Sequence, residues 1–184
     1  PKITIDMKNI NFVSGRAVNI LRITFLLVFL APSLMAGAQG PFMQYPDIQA
    51  NTIVFTSGGD LWKAPAEGGT ASRLTFSDGR ESYPEISPDG SLIAFTGEYD
   101  GNADVYVMNI NGGDITRLTF HPGMDEVIGW NSTKNKIMFT SGRLSPSRYV
   151  KMFLISPDGT GIEEMIMYDA ARGSFSPDGS KIAY

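Results

Sequence analysis

Residues able to do chemistry are few and scattered in this chain. The single histidine, His121, sits in Phe120-His121-Pro122-Gly123. A histidine base needs a nucleophile beside it and a third group to orient it. The sequence places neither near His121, so we read it as a turn residue. Cysteine is absent, which removes disulfides, thiolate zinc ligands and a thiol nucleophile. Serines are frequent, yet none stands in a Gly-x-Ser-x-Gly elbow. Asp100-Gly101-Asn102-Ala103-Asp104 opens like a calcium loop, but Val105 and Asn111 stand where such a loop needs Gly and Glu. A polar hairpin is the expectation there. Asn131-Ser132-Thr133 has the form of a glycosylation acceptor, which carries meaning only on a eukaryotic secretory route. One loop remains, Arg143-Leu144-Ser145-Pro146-Ser147-Arg148, where two arginines flank a Ser-Pro turn. Arg143 and Arg148 are the candidate channel-mouth residues, able to meet anions such as peptide carboxylates. A solvated loop is the competing reading. No catalytic, cofactor-binding or metal-ligating residue is assigned.

The elements that must position these residues are set by a repeat. Ile53-Val54-Phe55-Thr56 returns as Ile93-Ala94-Phe95-Thr96, as Ile137-Met138-Phe139-Thr140 and as Ile182-Ala183-Tyr184. The aromatic positions 55, 95, 139 and 184 are spaced by 40, 44 and 45 residues. A period of about 40–45 residues with four strand-length segments per unit is the signature of propeller blades. The first strand of the unit reads Tyr45-Pro46-Asp47-Ile48, then Tyr83-Pro84-Glu85-Ile86, Val127-Ile128-Gly129-Trp130 and Gly173-Ser174-Phe175. The third reads Asp60-Leu61-Trp62-Lys63, Asp104-Val105-Tyr106-Val107 and Lys151-Met152-Phe153-Leu154. The fourth reads Arg73-Leu74-Thr75, Arg117-Leu118-Thr119 and, more loosely, Glu164-Met165-Ile166. Ser-Pro-Asp-Gly at 87–90 and 176–179 supplies turns, with Pro presetting φ, Asp bonding its own backbone and Gly accepting positive φ. Strands apolar at successive positions, such as Ile93-Ala94-Phe95, suit blades packed on both faces. Trp62, Trp130 and the repeated phenylalanines are therefore expected in the core.

The expected fold is all-β: three and a half four-stranded blades of a propeller, preceded by a secretory signal peptide. The blades are placed at about 45–82, 83–126, 127–172 and, in part, 173–184. Because propellers need roughly four to eight blades to close, residues 39–184 expressed alone are expected to aggregate or stay partly unfolded. In residues 1–38, Lys8, Arg16 and Arg22 precede the apolar run Ile23–Ala31, and Ala36-Gly37-Ala38 comes after it with small-x-small spacing. Nine such residues are too few to span about 30 Å of hydrocarbon. The expectation is an exported protein, periplasmic or extracellular, with no anchor once the signal is removed; Met7 is a candidate start. The charge balance, 15 basic against 19 acidic residues without a basic cluster, argues against nucleic acid, which demands concentrated Lys and Arg.

Two longer stretches carry a family resemblance: Gly58-Gly59-Asp60-Leu61-Trp62-Lys63-Ala64-Pro65-Ala66-Glu67-Gly68-Gly69, and the run Arg117 to Trp130. Both resemble the start of the amino-terminal propeller of tricorn-like peptidases. Pro88–Phe95 and Ala103–Val107 also resemble the repeats shared with the TolB translocation protein. The resemblance covers Tyr45 to Tyr184. It implies a large serine peptidase with two propellers, a PDZ-like domain and a catalytic region beyond Tyr184, whose first propeller filters or channels peptides. It implies no cofactor, peptides or a protein as partner, and a homo-oligomeric state as one option. The competing reading is a non-enzymatic TolB-like propeller that binds a protein partner. A propeller-capped prolyl peptidase is a third class and requires an α/β-hydrolase domain.

Overall fold

A computed structural model describes residues 42–144, 149–167, 172–176 and 178–184. The leader reading on residues 1–38 lies outside them. All described elements are strands, arranged as three four-stranded antiparallel sheets and one two-stranded sheet. The first sheet holds β1 (Met43–Gln49), β2 (Thr52–Ser57), β3 (Asp60–Pro65) and β4 (Ser72–Arg73). The second holds β5 (Arg80–Ile86), β6 (Leu92–Glu98), β7 (Asp104–Asn109) and β8 (Thr116–Arg117). The third holds β9 (Asp125–Asn131), β10 (Lys136–Ser141), β11 (Lys151–Ile155) and β12 (Glu163–Glu164). β13 (Ser174–Phe175) pairs with β14 (Ile182–Ala183). Within each full sheet the strand order is that of the chain, a plain meander.

The recurring aromatic of the second strand explains the period. Phe55 faces Trp62 across β2–β3, Phe95 faces Tyr106 across β6–β7, and Phe139 faces Phe153 across β10–β11. Phe95 and Phe139 are fully buried, and their rings stack on Tyr106 at 5.8 Å and on Phe153 at 5.6 Å. The period-2 alternation of a strand sends neighbours to opposite faces, and here both faces are covered. Ile93, Phe95, Tyr106 and Met108 pack towards Val54 and Leu61 of the first sheet. Ala94, Val105 and Val107 pack towards Val127, Ile137 and Phe153 of the third. Met138, Met152 and Leu154 meet Phe175 and Ile182 of the fourth. Tyr184 departs from the pattern: it lies just past β14, which pairs with β13, and is 71% exposed.

The first strands lie against one another, β5 between β1 and β9, with β13 beside β9. They form the inner edge of the stack, and the two-residue fourth strands lie at its outer edge. The first strands begin at Met43, Arg80 and Asp125, upstream of the residues that the repeat marks. For β5 and β9 hydrogen bonds to the preceding sheet extend the strand: the Glu81 and Asp125 amides donate to the Gly59 and Ala103 carbonyls at 2.7 and 2.8 Å.

The Arg-Leu-Thr repeat ties the third and fourth strands of a sheet together. Arg73 pairs with Asp60 at 2.7 Å and Arg117 with Asp104 at 2.6 Å. Thr75 and Thr119 each accept the amide of the next residue on the third strand, Leu61 or Val105, at 2.9 Å. In the third sheet the same two places hold Lys151 and Glu164, paired at 2.5 Å with the charges exchanged. The Ser-Pro-Asp-Gly turn at 87–90 closes as its composition requires. Gly90 takes φ +75°, and Asp89 accepts from the Ser87 hydroxyl at 2.6 Å and the Ser91 amide at 3.0 Å.

Candidate functional site

The inner edge gathers polar side chains from all four sheets, and a backbone irregularity places them. In β1 the register shifts between Gln44 and Asp47, and in β5 between Ser82 and Glu85, so Tyr-Pro stands opposite a single residue. Such a bulge adds a residue, bends the strand and re-aims the side chains beyond it. β9 shows the same shift opposite Met138 and Phe139. Tyr45 and Tyr83 take positive φ, 50° and 51°, a strained choice for aromatic residues. Their rings lie 4.2 Å apart, and the Arg172 guanidinium sits 5.1 Å from the Tyr83 ring centre while pairing with Glu126 at 2.7 Å. Burial pushes the Tyr83 phenol up.

After the bulge come Asp47 and Glu85, at equivalent places opposite Val54 and Ala94, and Gly129 opposite Met138. The two carboxylates and the glycine open onto a cleft of about 690 Å³. Trp130, Met138 and Phe175 supply its apolar walls, and Ser132, Ser174 and Ser176 its hydroxyls. Side chains stitch the neighbouring inner strands around it. Asp47 accepts the Ile86 amide at 2.7 Å, Gln49 donates to the Pro88 carbonyl at 2.7 Å, and the Trp130 indole donates to the Glu85 carbonyl at 2.9 Å. Burial, and secondarily the charge of Asp47, push the Glu85 carboxyl up to about 7. At that value it changes charge near neutral pH, a property that concentrates in functional sites.

A second buried acid, Glu81, belongs to the joint between the first two sheets. Its carboxylate accepts from the Thr75 hydroxyl, from Tyr99 at 2.7 Å and from the Leu61 amide at 3.1 Å. Burial raises its pKa against the lowering effect of those bonds. Every oxygen is directed at a structural partner, so Glu81 holds sheets together.

The residues singled out from sequence fall elsewhere. Arg143 is not in a solvated loop: its side chain is 14% exposed, pairs with Asp125 at 2.5 Å and lies over the Phe139 and Phe153 rings. Its guanidinium also donates to the Ser141 hydroxyl at 3.0 Å. Arg148 lies outside the described residues. His121 closes a turn, its Nδ1 accepting the Gly123 amide at 2.9 Å while its carbonyl accepts from Asn102 at 2.8 Å. Asp100 and Asp104 both pair with Arg117, and Asn102 bonds Asp104, so these oxygens serve a hairpin. Asn131 is 5% exposed and its Oδ1 caps the Lys134 amide at 2.8 Å, which withdraws it from solvent. Sequence reading passed over Asp47, Glu85 and the cleft. The available signal was an acid directly after Tyr-Pro in two successive repeats.

Meander sheets packed face to face, with first strands along one inner edge, define a β-propeller. The sequence profile of the Tricorn protease N-terminal beta propeller domain matches residues 40–184, and the chain belongs to that family. The chain is 34% identical over 92 residues to Tricorn protease homolog 1 of Streptomyces coelicolor, covering 50% of this chain and 9% of that protein. It is 34% identical over 101 residues to a putative Tricorn-like protease N-terminal subunit of Sulfurisphaera tokodaii, covering 52% of this chain and 51% of that one. A TolB homolog of Chlorobium luteolum is 30% identical over 143 residues, covering 73% of this chain and 31% of that protein. The fold matches the crystal structure of the tricorn protease with TM-score 0.65 at 22% identity, over 74% of this chain and 14% of that one. It matches TolB from Acinetobacter baumannii with TM-score 0.64 at 24% identity, over 78% of this chain and 37% of that one. The chain spans about half or less of the length of these relatives.

Proposed function

We propose that this chain is the amino-terminal propeller of an exported tricorn-like serine peptidase, gating or channelling peptides to a catalytic region carried elsewhere in the polypeptide. The observation that supports it is the family match along residues 40–184, joined to an inner edge whose polar and aromatic side chains come from every sheet. Hydrolysis would run by acyl transfer, with nucleophile, base and oxyanion donors outside this propeller. The basic, apolar, small-residue order of residues 8–38 supports export. Assembly into a homo-oligomer accords with this reading. The test is peptide hydrolysis by the intact protein, expected to be abolished by a serine-directed phosphonate.

The TolB reading rests on the longer stretch aligned with the Chlorobium luteolum relative. It makes the propeller a non-enzymatic docking module for a protein. An intact protein that hydrolyses no peptide but retains one protein partner through purification would establish it instead.

A further inference from the structure

The cleft at the ends of the inner strands has a charge character that the family assignment does not supply. Asp47 and Glu85 are the charged residues lining it, and no lysine or arginine lines it among the described residues. Four other acids at the sheet edges are each neutralised by an arginine: Asp60 by Arg73, Asp104 by Arg117, Asp125 by Arg143 and Glu126 by Arg172. Asp47 spends one oxygen on the Ile86 amide. Among the described residues, no hydrogen bond or ion pair engages the Glu85 carboxylate; burial and the like charge of Asp47 are the influences on it. Half-burial beside a like charge disfavours the ionised Glu85 carboxylate, and an arriving cation would offset that. The space is present too. Gly129 occupies the place equivalent to Asp47 and Glu85, and a Cβ there would meet Met138 Cε at 3.5 Å. The rest of the wall is Trp130, Met138 and Phe175, apolar surface suited to a methylene chain and, at the indole, to a cation.

We infer that this cleft binds the ammonium group of a peptide, with Asp47 and Glu85 taking the charge and Trp130, Met138 and Phe175 taking the chain that bears it. This deepens the peptide-channel reading and rests on it. The ammonium comes from a lysine side chain or from the peptide's free amino terminus, and the probes separate the two. Acetyl-Ala-Lys-Ala-amide carries the first, Ala-Ala-Ala-amide the second, and acetyl-Ala-norleucine-Ala-amide neither. In calorimetric titration of the intact protein at pH 7.5, at least one charged peptide is expected to bind about tenfold or more tighter than the norleucine peptide, and the tighter one identifies the source. Glu85→Gln and Asp47→Asn are each expected to weaken that binding about tenfold and to leave the norleucine peptide unchanged.

A measurement on the unaltered protein stands if the variants do not fold. Glu85 titrates at about 7, and Asp47, on β1, is the other charged group lining the cleft. From pH 6 to pH 8 the ionised fraction of Glu85 rises from about a tenth to about nine tenths. Affinity for acetyl-Ala-Lys-Ala-amide, whose own amine stays protonated, should rise about tenfold over that range if the charge that binds is Glu85. Equal binding of the norleucine peptide, or a flat pH profile, overturns the inference and leaves the peptide-channel reading standing. Absence of binding by all three peptides removes both.

Discussion

Exchanging the charges of Asp104 and Arg117 would copy into the second sheet the arrangement that the third already carries as Lys151 and Glu164. The Asp104 side chain is 1% exposed and that of Arg117 26%. Breaking a buried pair by altering one partner costs about 3–5 kcal/mol. Arg117 keeps some solvent and a second partner, Asp100 at 3.1 Å, so about 3 kcal/mol is expected for Asp104→Lys alone and for Arg117→Glu alone. Independent effects would sum to about 6 kcal/mol. In the double variant the ion pair re-forms with opposite polarity. The bonds that Asp104 accepts from Thr119 and Asn102, both at 3.1 Å, and the one that Arg117 donates to the Thr119 carbonyl at 2.9 Å stay lost, at about 1 kcal/mol each, while the exposed Asp100 pair adds little. The double variant should therefore cost about 3 kcal/mol, no more than either single variant, a coupling of about 3 kcal/mol. Hydrogen exchange in the intact protein reads this locally at the Val105 and Leu118 amides, which bridge β7 and β8. At about 1.4 kcal/mol per tenfold, each single variant should lower protection about hundredfold or slightly more, and the double variant by about the same factor. A double variant that exchanges as fast as the product of the two single effects would refute the reasoning. The pair would then be an accident of composition in both sheets.

Glu85 gives a pH dependence of definite sign. Its folded pKa, about 7, lies above the ordinary value of 4.5. The folded state therefore holds the extra proton between those values, and stability falls as pH rises through that window. Glu85→Gln should be neutral below pH 4 and stabilising by about 3 kcal/mol at pH 8, read from urea melts at the two pH values; a variant less stable than the parent at pH 8 would contradict this. Asp89 and Asp178 are held down to about 2 by their Ser-Pro-Asp-Gly hydrogen bonds. Their carboxylate resonances should titrate near pH 2 by carbon NMR, and Ser87→Ala should move the Asp89 midpoint upward. Phe95→Ala empties a fully buried site between the first and second sheets and should cost about 3–5 kcal/mol in thermal or chemical unfolding.

The blades were legible because their signal is local and repeated. A buried aromatic with its cross-strand partner recurs at Phe55, Phe95 and Phe139, and turns such as Ser87-Pro88-Asp89-Gly90 are determined within four residues. The features that stayed hidden depend on neighbours distant along the chain. Arg143 reads as a loop cation until Asp125, 18 residues earlier, is seen at its guanidinium. Glu81 is an ordinary charged residue in sequence and fully buried in the fold. The cleft is the clearest instance, because its two acids lie on successive blades and its tryptophan on a third. Period-2 alternation mispredicts where they point, since the Tyr-Pro bulge shifts the register immediately before each acid. The strain at Tyr45 and Tyr83 thus has a consequence downstream: it brings Asp47 and Glu85 to one rim. Deleting Pro46 and Pro84, which would restore even alternation, should turn these acids from the cleft. Glu85 would then titrate near the ordinary carboxylate value, and an unchanged midpoint near 7 would show that the bulge does not aim it.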